Sequence, residues 1–598
     1  MRILFSTRNF WYTRLFEPVI RELAERGHEV HVLAERGERN LLSRDWNAAM
    51  ARLASSHPNI SFAWAPLRIE TDWIDLRQMI RLGIDHLRFL EPAYALAPKL
   101  AERARVRTPE LVVRLGDAPV LRTRLGRRLL KFVLRQAERA VPIDPDLAEY
   151  IEAQRADVIL VTPLVALGSE QQDVVRIARR IGTPTALCVG SWDHLSSKAL
   201  VRDQPDRMFV WNETQKQEAV ALHRVPAERV IVTGAQCFDI WFGRTPTLDR
   251  EAFCRKVGLD PARPFLLWVC SALFEGSPSE AEFVARWIRE LRAIGKPRLR
   301  DAGILVRPHP KRKSEWDAVD LSGVENVALW PPRGAAPMDP PTQSDYFDSM
   351  YHAAVTAGLN TSALIEAGIV GRAVHTILLP EFYENQEGTL HFHYLLQQGL
   401  LQSARDMATH VAQLDASLAE ADPAVHHNQA FVEGFVRPRG LDVAATPVFA
   451  DFVESMTSLP ILPRLDPIWV PALRWTLIPL ARKTSGTFAE QISRERRRRD
   501  KRRRSEERRA ALDAARAAQK AQVAEERRLR REAEARERQE RVARERQEAL
   551  LAKQRKQEAK LRLKAERRTQ WQRDKRRRAF NAKLAAYYRR LLAGVRPR

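Results

Sequence analysis

The sequence is short of the residues that mark several large protein classes. Only four cysteines occur in 598 residues, Cys188, Cys237, Cys254 and Cys270. None stands in a CxxC spacing and each lies in or beside an apolar run. That excludes a disulfide framework and a thiolate metal centre, and predicts buried free thiols in a reducing compartment. No uninterrupted apolar run approaches the ~18–20 residues needed to cross a bilayer. No GxxxxGK[ST] is present, which argues against an ATPase. No metal constellation is evident: Asp144-Pro145-Asp146 has the form of a DxD but precedes a helix, and reads as capping chemistry. The chain opens on strand-like Arg2–Ser6, so no signal peptide is expected. A cytoplasmic protein is expected, free or attached to the membrane from its inner face.

Net charge is absent from most of the chain. Residues 491–598 hold 40 Lys and Arg against 16 Asp and Glu, which accounts for the whole formal charge of +24, while residues 1–490 carry 59 of each sign. Residues 490–593 also contain neither glycine nor proline. They are built of Arg, Glu, Ala, Lys and Gln, all good helix formers, with apolar residues too sparse for a sustained coiled-coil seam. A lone helix, a coiled coil and a disordered tail are all compatible with this composition. Its charge suits an anionic membrane surface or a protein partner; the interspersed glutamates argue against a nucleic-acid arm.

Ahead of the tail, strand and helix patterns alternate. Strands are expected at Arg2–Ser6, Glu29–Ala34, Asp157–Thr162, Pro184–Val189, Arg207–Trp211 and Arg229–Thr233. The pattern restarts after Pro261 with Pro264–Cys270, Ile304–Arg307, Ala353–Thr356 and Ala373–Leu378. Between them lie amphipathic helices and a long Leu- and Arg-rich helical stretch from Trp73 to Ala140. Continuous apolar strands alternating with helices predict parallel, doubly wound sheets. The fold class is therefore α/β, with two tandem Rossmann-like domains over 1–240 and 241–457. Helices at about 389–398, 403–420, 424–434 and 445–457 are expected to close the second. Residues 458–489 are a Pro- and Trp-rich linker in which Pro460, Pro463, Pro467, Pro471 and Pro479 predict no continuous helix. It is expected to pack on the second domain, and its tryptophans also suit a shallow membrane contact. The charged tail occupies 490–598.

Two turns carry most of the chemistry. Ile304-Leu305-Val306-Arg307-Pro308-His309-Pro310 is a strand running into a turn that offers a cation and an imidazole, with Lys311 next. Val355-Thr356-Ala357-Gly358-Leu359-Asn360-Thr361-Ser362 is a strand running into a helix start. There, free backbone N–H groups and the helix dipole favour an anion. Two such turns from one parallel sheet converge on one crevice, an arrangement suited to a nucleotide phosphate. A third polar turn, Gly190-Ser191-Trp192-Asp193-His194-Leu195-Ser196-Ser197-Lys198, follows a strand of the first domain. Arg8, after the first strand, faces the same cleft.

Together these features resemble the GT-B transferases. The nearest in pattern are CDP-glycerol glycerophosphotransferases and bacterial surface-carbohydrate glycosyltransferases; sialyltransferases of that fold are similar in their HP and Ser/Thr motifs. The resemblance covers about residues 1–440. It implies that His309 contacts donor phosphate or ribose, with Arg307 and Lys311 as counter-charges. It places Thr361 and Ser362 on the same phosphates and Glu366 on ribose hydroxyls. The second domain would then bind a CDP-/CMP- or UDP-linked donor, and the first an acceptor polysaccharide or lipid-linked acceptor, through Arg8 and Lys198. No cofactor or metal is implied beyond the donor. An inverting displacement needs a base for the acceptor hydroxyl, and Asp193 and His194 are the candidates. In the glycerophosphotransferases a histidine directly follows the tryptophan of the comparable turn; here Asp193 intervenes, and it is slightly preferred, with His194 orienting it or acting in its place. His391 and His393 could line the donor pocket.

The function expected is a transferase moving a glycosyl or glycerophosphoryl unit onto a cell-envelope acceptor. A nucleotide-sugar epimerase of the same fold is a close variant. From a different class comes a scaffold protein with a vestigial GT-B core and an anion-binding tail.

Overall fold

The structure is a computed structural model. It describes the chain except for residues 36–43, 67–71, 322, 333, 335–336, 338, 420–427 and 593–598. Two compact units result, Met1–Gln491 and Ile492–Arg598.

The first unit holds two parallel sheets. In the first, β1 (Arg2–Thr7), β2 (Glu29–Ala34), β3 (Ile60–Trp64), β4 (Val158–Thr162), β5 (Thr185–Cys188), β6 (Arg207–Val210) and β7 (Val230–Val232) lie in the order β3-β2-β1-β4-β5-β6-β7. In the second, β8 (Phe265–Val269), β9 (Gly303–Arg307), β10 (Val327–Leu329), β11 (Val355–Gly358), β12 (Ala373–Ile377) and β13 (Leu401–Ala404) lie in the order β10-β9-β8-β11-β12-β13. The strand order reverses between β1 and β4 and again between β8 and β11. Each sheet thus has a switch point where the turns at the strand ends diverge and leave a crevice. The central strands are buried on both faces, as their unbroken apolar runs require.

Several expectations are corrected. Strands β3, β10 and β13 are additional, and two of them are three- or four-residue edges whose sequence carries little periodic signal. The helix expected from 403 begins at Met407, because Leu401–Ala404 pairs with β12. The helix Ala445–Ser455 does not close the second domain. Its Phe449, Ala450 and Val453 pack into the core of the first sheet with Phe5, Phe16 and Phe209. Asp239 accepts hydrogen bonds from the backbone N–H of Ala445 (3.1 Å) and Thr446 (2.7 Å) and so holds the first turn of that helix.

The Pro-rich segment is corrected twice. Val470–Thr484 is a helix, with Pro471 in its first turn, where no N–H partner is lost, and Pro479 tolerated inside. It packs on the first domain: Leu477 and Ala481 join Leu76, Ile80 and Val141, the Arg474 side chain donates to the Ala140 carbonyl at 2.8 Å, and Arg180 pairs with Asp466.

The stretch from Trp73 to Ala140 divides into helices Trp73–Phe89, Pro98–Arg107, Glu110–Asp117 and Arg124–Ala140. Arg81 is fully buried there between Glu138 (2.7 Å) and Asp173 (2.7 Å), while Arg202 bridges Glu138 (3.2 Å) and Asp85 (2.9 Å). The second unit is the bulk of one continuous helix, Thr487–Leu592, of 106 residues, about 160 Å long at ~1.5 Å per residue.

Candidate active site

The turn after β5 is held from beneath by arginine. Arg88 is 1% exposed and donates to the carbonyls of Leu195 (2.6 Å), Lys198 (2.6 Å) and Ala199 (2.5 Å), and to Tyr94 Oη (2.7 Å). Arg103 donates to the Ser197 carbonyl from the neighbouring helix. Gly190 permits the close approach of this turn to Phe16, since a Cβ there would lie 2.9 Å from the Phe16 ring.

Asp193 is wholly engaged. Its carboxylate accepts from Ser191 Oγ at 2.6 Å and Ser197 Oγ at 3.0 Å and pairs with Lys198 Nζ at 2.9 Å. Burial by itself would raise its pKa; the Lys198 ammonium and the Ser191 hydrogen bond outweigh that and hold it well below the usual carboxylate range. His194 is 4% exposed and its Nδ1 has no hydrogen-bond partner. Burial lowers it to about 4 against the opposing pull of Asp193, so its imidazole is neutral at pH 7.

The second sheet reaches this turn. His391 is buried, with Nδ1 unpartnered, and stands edge-on to the Trp192 indole at 4.6 Å between ring centroids. Burial also lowers its pKa to about 4. His393 takes a plainer role, bonded to the Glu387 carbonyl at 2.8 Å. Tyr394 Oη donates to Glu218 Oε1 at 2.8 Å, and Gln398 Nε2 donates to Thr214 Oγ1 at 3.0 Å. Both hydrogen bonds join the second domain to the helix Glu213–His223 of the first.

The polar turns of the second sheet are gathered at the C-terminal ends of β8, β9 and β11. Buried Glu280 accepts from the Ser271 N–H (2.7 Å) and Trp268 Nε1 (3.2 Å), and Ser271 Oγ in turn accepts from the Asn360 N–H (3.0 Å). Asn385 ties the β8 turn to this group by accepting from the Phe274 N–H at 2.8 Å. Thr361 is half-buried and Ser362 is exposed, immediately ahead of the helix Ala363–Ile369. At Gly358 a Cβ would lie 2.7 Å from the Val269 carbonyl, so only glycine fits where β11 passes β8.

His309 Nδ1 accepts from the Lys311 N–H at 3.2 Å, which leaves the ring proton on Nε2 when the ring is neutral. Burial, then the charges of Lys311 and Arg312, lowers its pKa to about 4. Lys311 is exposed. Arg307 is engaged elsewhere: it donates to Ser349 Oγ (3.2 Å) and the Asp345 carbonyl (3.3 Å) and lies 5.1 Å over the Tyr346 ring. The other side of Tyr346 serves Glu366, to which its hydroxyl donates at 2.5 Å. Burial raises Glu366 to about 7, opposed by the Tyr346 hydrogen bond and by Arg14 of the first domain. Arg8 is exposed at the end of β1, next to the switch point, and its backbone N–H donates to the Thr162 carbonyl at 3.1 Å.

Thus Asp193, His194 and Lys198 form one cluster, with His391 from the opposite domain. His309 and Lys311 follow β9, and Thr361 and Ser362 follow β11, the two strands that flank β8. Arg307 and Glu366 meet through Tyr346. Sequence reasoning missed Arg88, Arg103, Glu218, Tyr346, Tyr394 and Arg14. All act across distances of many residues, and none stands in a local motif. Among the described residues no group of three or more His, Cys, Asp or Glu side chains is placed to hold a metal ion. The cysteines are free, three buried and Cys237 half-buried. Asp144 caps the helix Pro145–Ala153 by accepting from the Asp146 and Leu147 N–H groups, as expected from its position.

Two Rossmann-like domains in tandem, each with its own parallel sheet and switch point, are the architecture of the GT-B type of α/β fold. No protein-family model and no curated protein matches the chain. Among solved structures, the UDP-GlcNAc 2-epimerase from Methanocaldococcus jannaschii is similar over 76% of this chain and 100% of its own, at 11% identity and a TM-score of 0.43. WaaG, a glycosyltransferase involved in lipopolysaccharide biosynthesis, covers 75% of this chain and 99% of its own, at 12% identity and a TM-score of 0.38. A variant of the wall teichoic acid polymerase TagF covers 76% of this chain and 89% of its own, at 10% identity and a TM-score of 0.38. The roles of residues in this chain rest on its own geometry.

Proposed function

We propose that the chain is a transferase that moves a glycosyl or glycerophosphoryl unit from a nucleotide-activated donor, CDP-/CMP- or UDP-linked, to a polysaccharide or lipid-linked acceptor of the cell envelope. The observation that carries this reading is the contact of His391 of one domain with Trp192 of the other, beside Asp193 and His194, in a fold of two sheets that each have a switch point.

His194 is the better base of the pair. Its imidazole is neutral and has an unpartnered nitrogen, whereas the acceptor positions of Asp193 are taken by two hydroxyls and an ammonium. When the acceptor hydroxyl attacks, His194 takes its proton, and the fixed Asp193 carboxylate stabilises the imidazolium that forms. His391 presents a second neutral imidazole to the same space. On the donor side, His309 Nε2–H, Lys311 and the Thr361–Ser362 turn offer donors and positive charge to the departing phosphate. That is electrostatic stabilisation of the leaving group by preorganised groups. Arg8 and Lys198 lie at the acceptor end. No further cofactor enters this reading.

The test is the thermal stability of the full chain with CMP, CDP, UMP, UDP and GDP, repeated for His309→Ala and Ser362→Ala. A rise with cytidine or with uridine nucleotides, lost in the variants, supports the reading and selects the donor base. No rise with any nucleotide overturns it.

A further inference from the structure

The helix Arg124–Ala140 is apolar on two faces. Its inner face packs Leu134 and Ala137 against the helix Trp73–Phe89. Its outer face carries Leu125, Leu129, Phe132 and Val133, with exposures of 77%, 57%, 58% and 52%. These four stand at i, i+4, i+7 and i+8 and form one stripe. An outer face in water would normally be polar.

The stripe has apolar neighbours. Val112 and Leu134 both lie over Gly83, so the helix Glu110–Asp117 sits next to Arg124–Ala140, and it exposes Leu111 and Leu115. On the same support, the helix Val470–Thr484 exposes Trp475 at 74%. Neighbouring exposed apolar residues on packed helices differ from the scattered ones found on every surface, and mark an interaction face.

Charge selects the occupant. The helix Arg124–Ala140 contains six Lys and Arg but a single acidic residue, Glu138, which is buried with Arg81 and Arg202. Arg124 and Arg128 are exposed along one edge of the stripe, and Arg482 and Lys483 end the helix Val470–Thr484. The acids on the adjoining helix are already matched: Glu110 pairs with Arg114 (3.1 Å) and Asp117 with Arg105 (3.3 Å). A second copy of this face would set cation against cation. Apolar side chains interleaved with unmatched arginines, plus a tryptophan, suit a surface that is anionic outside and hydrocarbon beneath. Among the described residues no helix is long and apolar enough to cross a membrane.

We propose that this face, built on the helices Glu110–Asp117, Arg124–Ala140 and Val470–Thr484, docks on the surface of an anionic lipid bilayer, with Leu129 and Phe132 at the acyl boundary. The proposal stands independently of the transferase reading. It differs from attachment through the basic tail, because it places the contact on the first domain. The helix Trp73–Phe89 beneath supplies Arg88 to the Asp193 turn, which ties the docking face to that turn through one helix.

The experiment uses the full chain with Leu129→Cys, labelled with an environment-sensitive fluorophore; the unsubstituted protein is the labelling blank for Cys237. Vesicles of phosphatidylcholine alone, or with phosphatidylglycerol, are added, with and without brominated acyl chains. The expected result is a blue shift and bromine quenching with the anionic vesicles, reduced by raised salt and by Arg124→Glu with Arg128→Glu. A label at Phe132→Cys should respond in the same way. Vesicle binding without a change at either label would show that the tail alone makes the contact, and would overturn the proposal. Absence of binding would also overturn it. So would a blue shift without vesicles accompanied by a doubling of mass in sedimentation, which would identify the face as a contact between copies.

Discussion

The His391 imidazole and the Trp192 indole meet edge-on with ring centroids 4.6 Å apart. His391 follows β12 of the second sheet and Trp192 follows β5 of the first. This contact brings a neutral imidazole of one domain to the Asp193–His194 turn of the other. Replacing His391 by Leu removes the ring contact and the neutral imidazole that faces the Asp193 turn. The expected outcome is retained nucleotide stabilisation with loss of transfer to the acceptor, measured by thermal shift and product formation on the same protein.

His194→Gln should cost on the order of 10²–10⁴ in turnover, the range for loss of a general base, while leaving the nucleotide-dependent rise in Tm intact. Asp193→Asn should cost less than His194→Gln. It leaves the base in place and removes only the charge that stabilises its protonated form. The reverse ranking in product formation would make Asp193 the base.

The buried ion network predicts a large structural effect away from the site. Arg81→Met leaves Glu138 and Asp173 short of a partner in a region closed to water. Breaking a buried pair on one side costs ~3–5 kcal/mol, so the denaturant midpoint should fall sharply. Asp193→Asn removes a carboxylate that Ser191, Ser197 and Lys198 hold, but at a partly exposed turn, and should lower that midpoint by less.

Three buried carboxyl groups set the alkaline side of the stability profile. Burial raises Glu218 to about 8, Glu280 to about 8 and Glu366 to about 7. In the unfolded chain each ionises near the ordinary glutamate value of ~4.3. Between that pH and the raised value the folded state holds the extra proton, so stability falls as pH rises. Glu280→Gln should flatten this fall between about pH 5 and 8, measured by chemical denaturation across pH. A slope unchanged in the variant would show that Glu280 is ionised in the folded protein.

The acid side has the opposite sign. His410 is fully buried with both ring nitrogens unpartnered, and burial lowers it to about 4. Unfolding lets it take up a proton below ~6.5, so stability falls as pH drops from there towards 4. His410→Leu should raise the Tm at pH 5 by more than at pH 8.

Much of the site was legible because its groups stand in short local patterns. Thr361 and Ser362 precede a helix, His309 ends a strand, and Asp193 and His194 follow one, so periodicity and turn chemistry place them at strand ends without long-range knowledge. Arg307 shows where that reasoning stops. Its position at a strand end suggests a phosphate ligand, but the Asp345 carbonyl, Ser349 and the Tyr346 ring occupy it. The partners that complete the site, Arg88 beneath Leu195 and Tyr394 beside Glu218, are separated from what they touch by 107 and 176 residues.

The amino-acid order by itself determined the alternation of strand and helix, the two parallel sheets, the neutral body with a basic tail, and the polar turns at the strand ends. These follow from local propensity, hydrophobic period and charge, which act over a few residues. The tertiary structure alone decided that Ala445–Ser455 returns to the first sheet and that Val470–Thr484 is helical despite its prolines. It likewise decided that Arg124–Ala140 keeps an apolar face outside and that the Asp193 carboxylate is bonded to two hydroxyls and an ammonium. Each of these depends on which surfaces are buried against which, and burial is a property of the assembled chain.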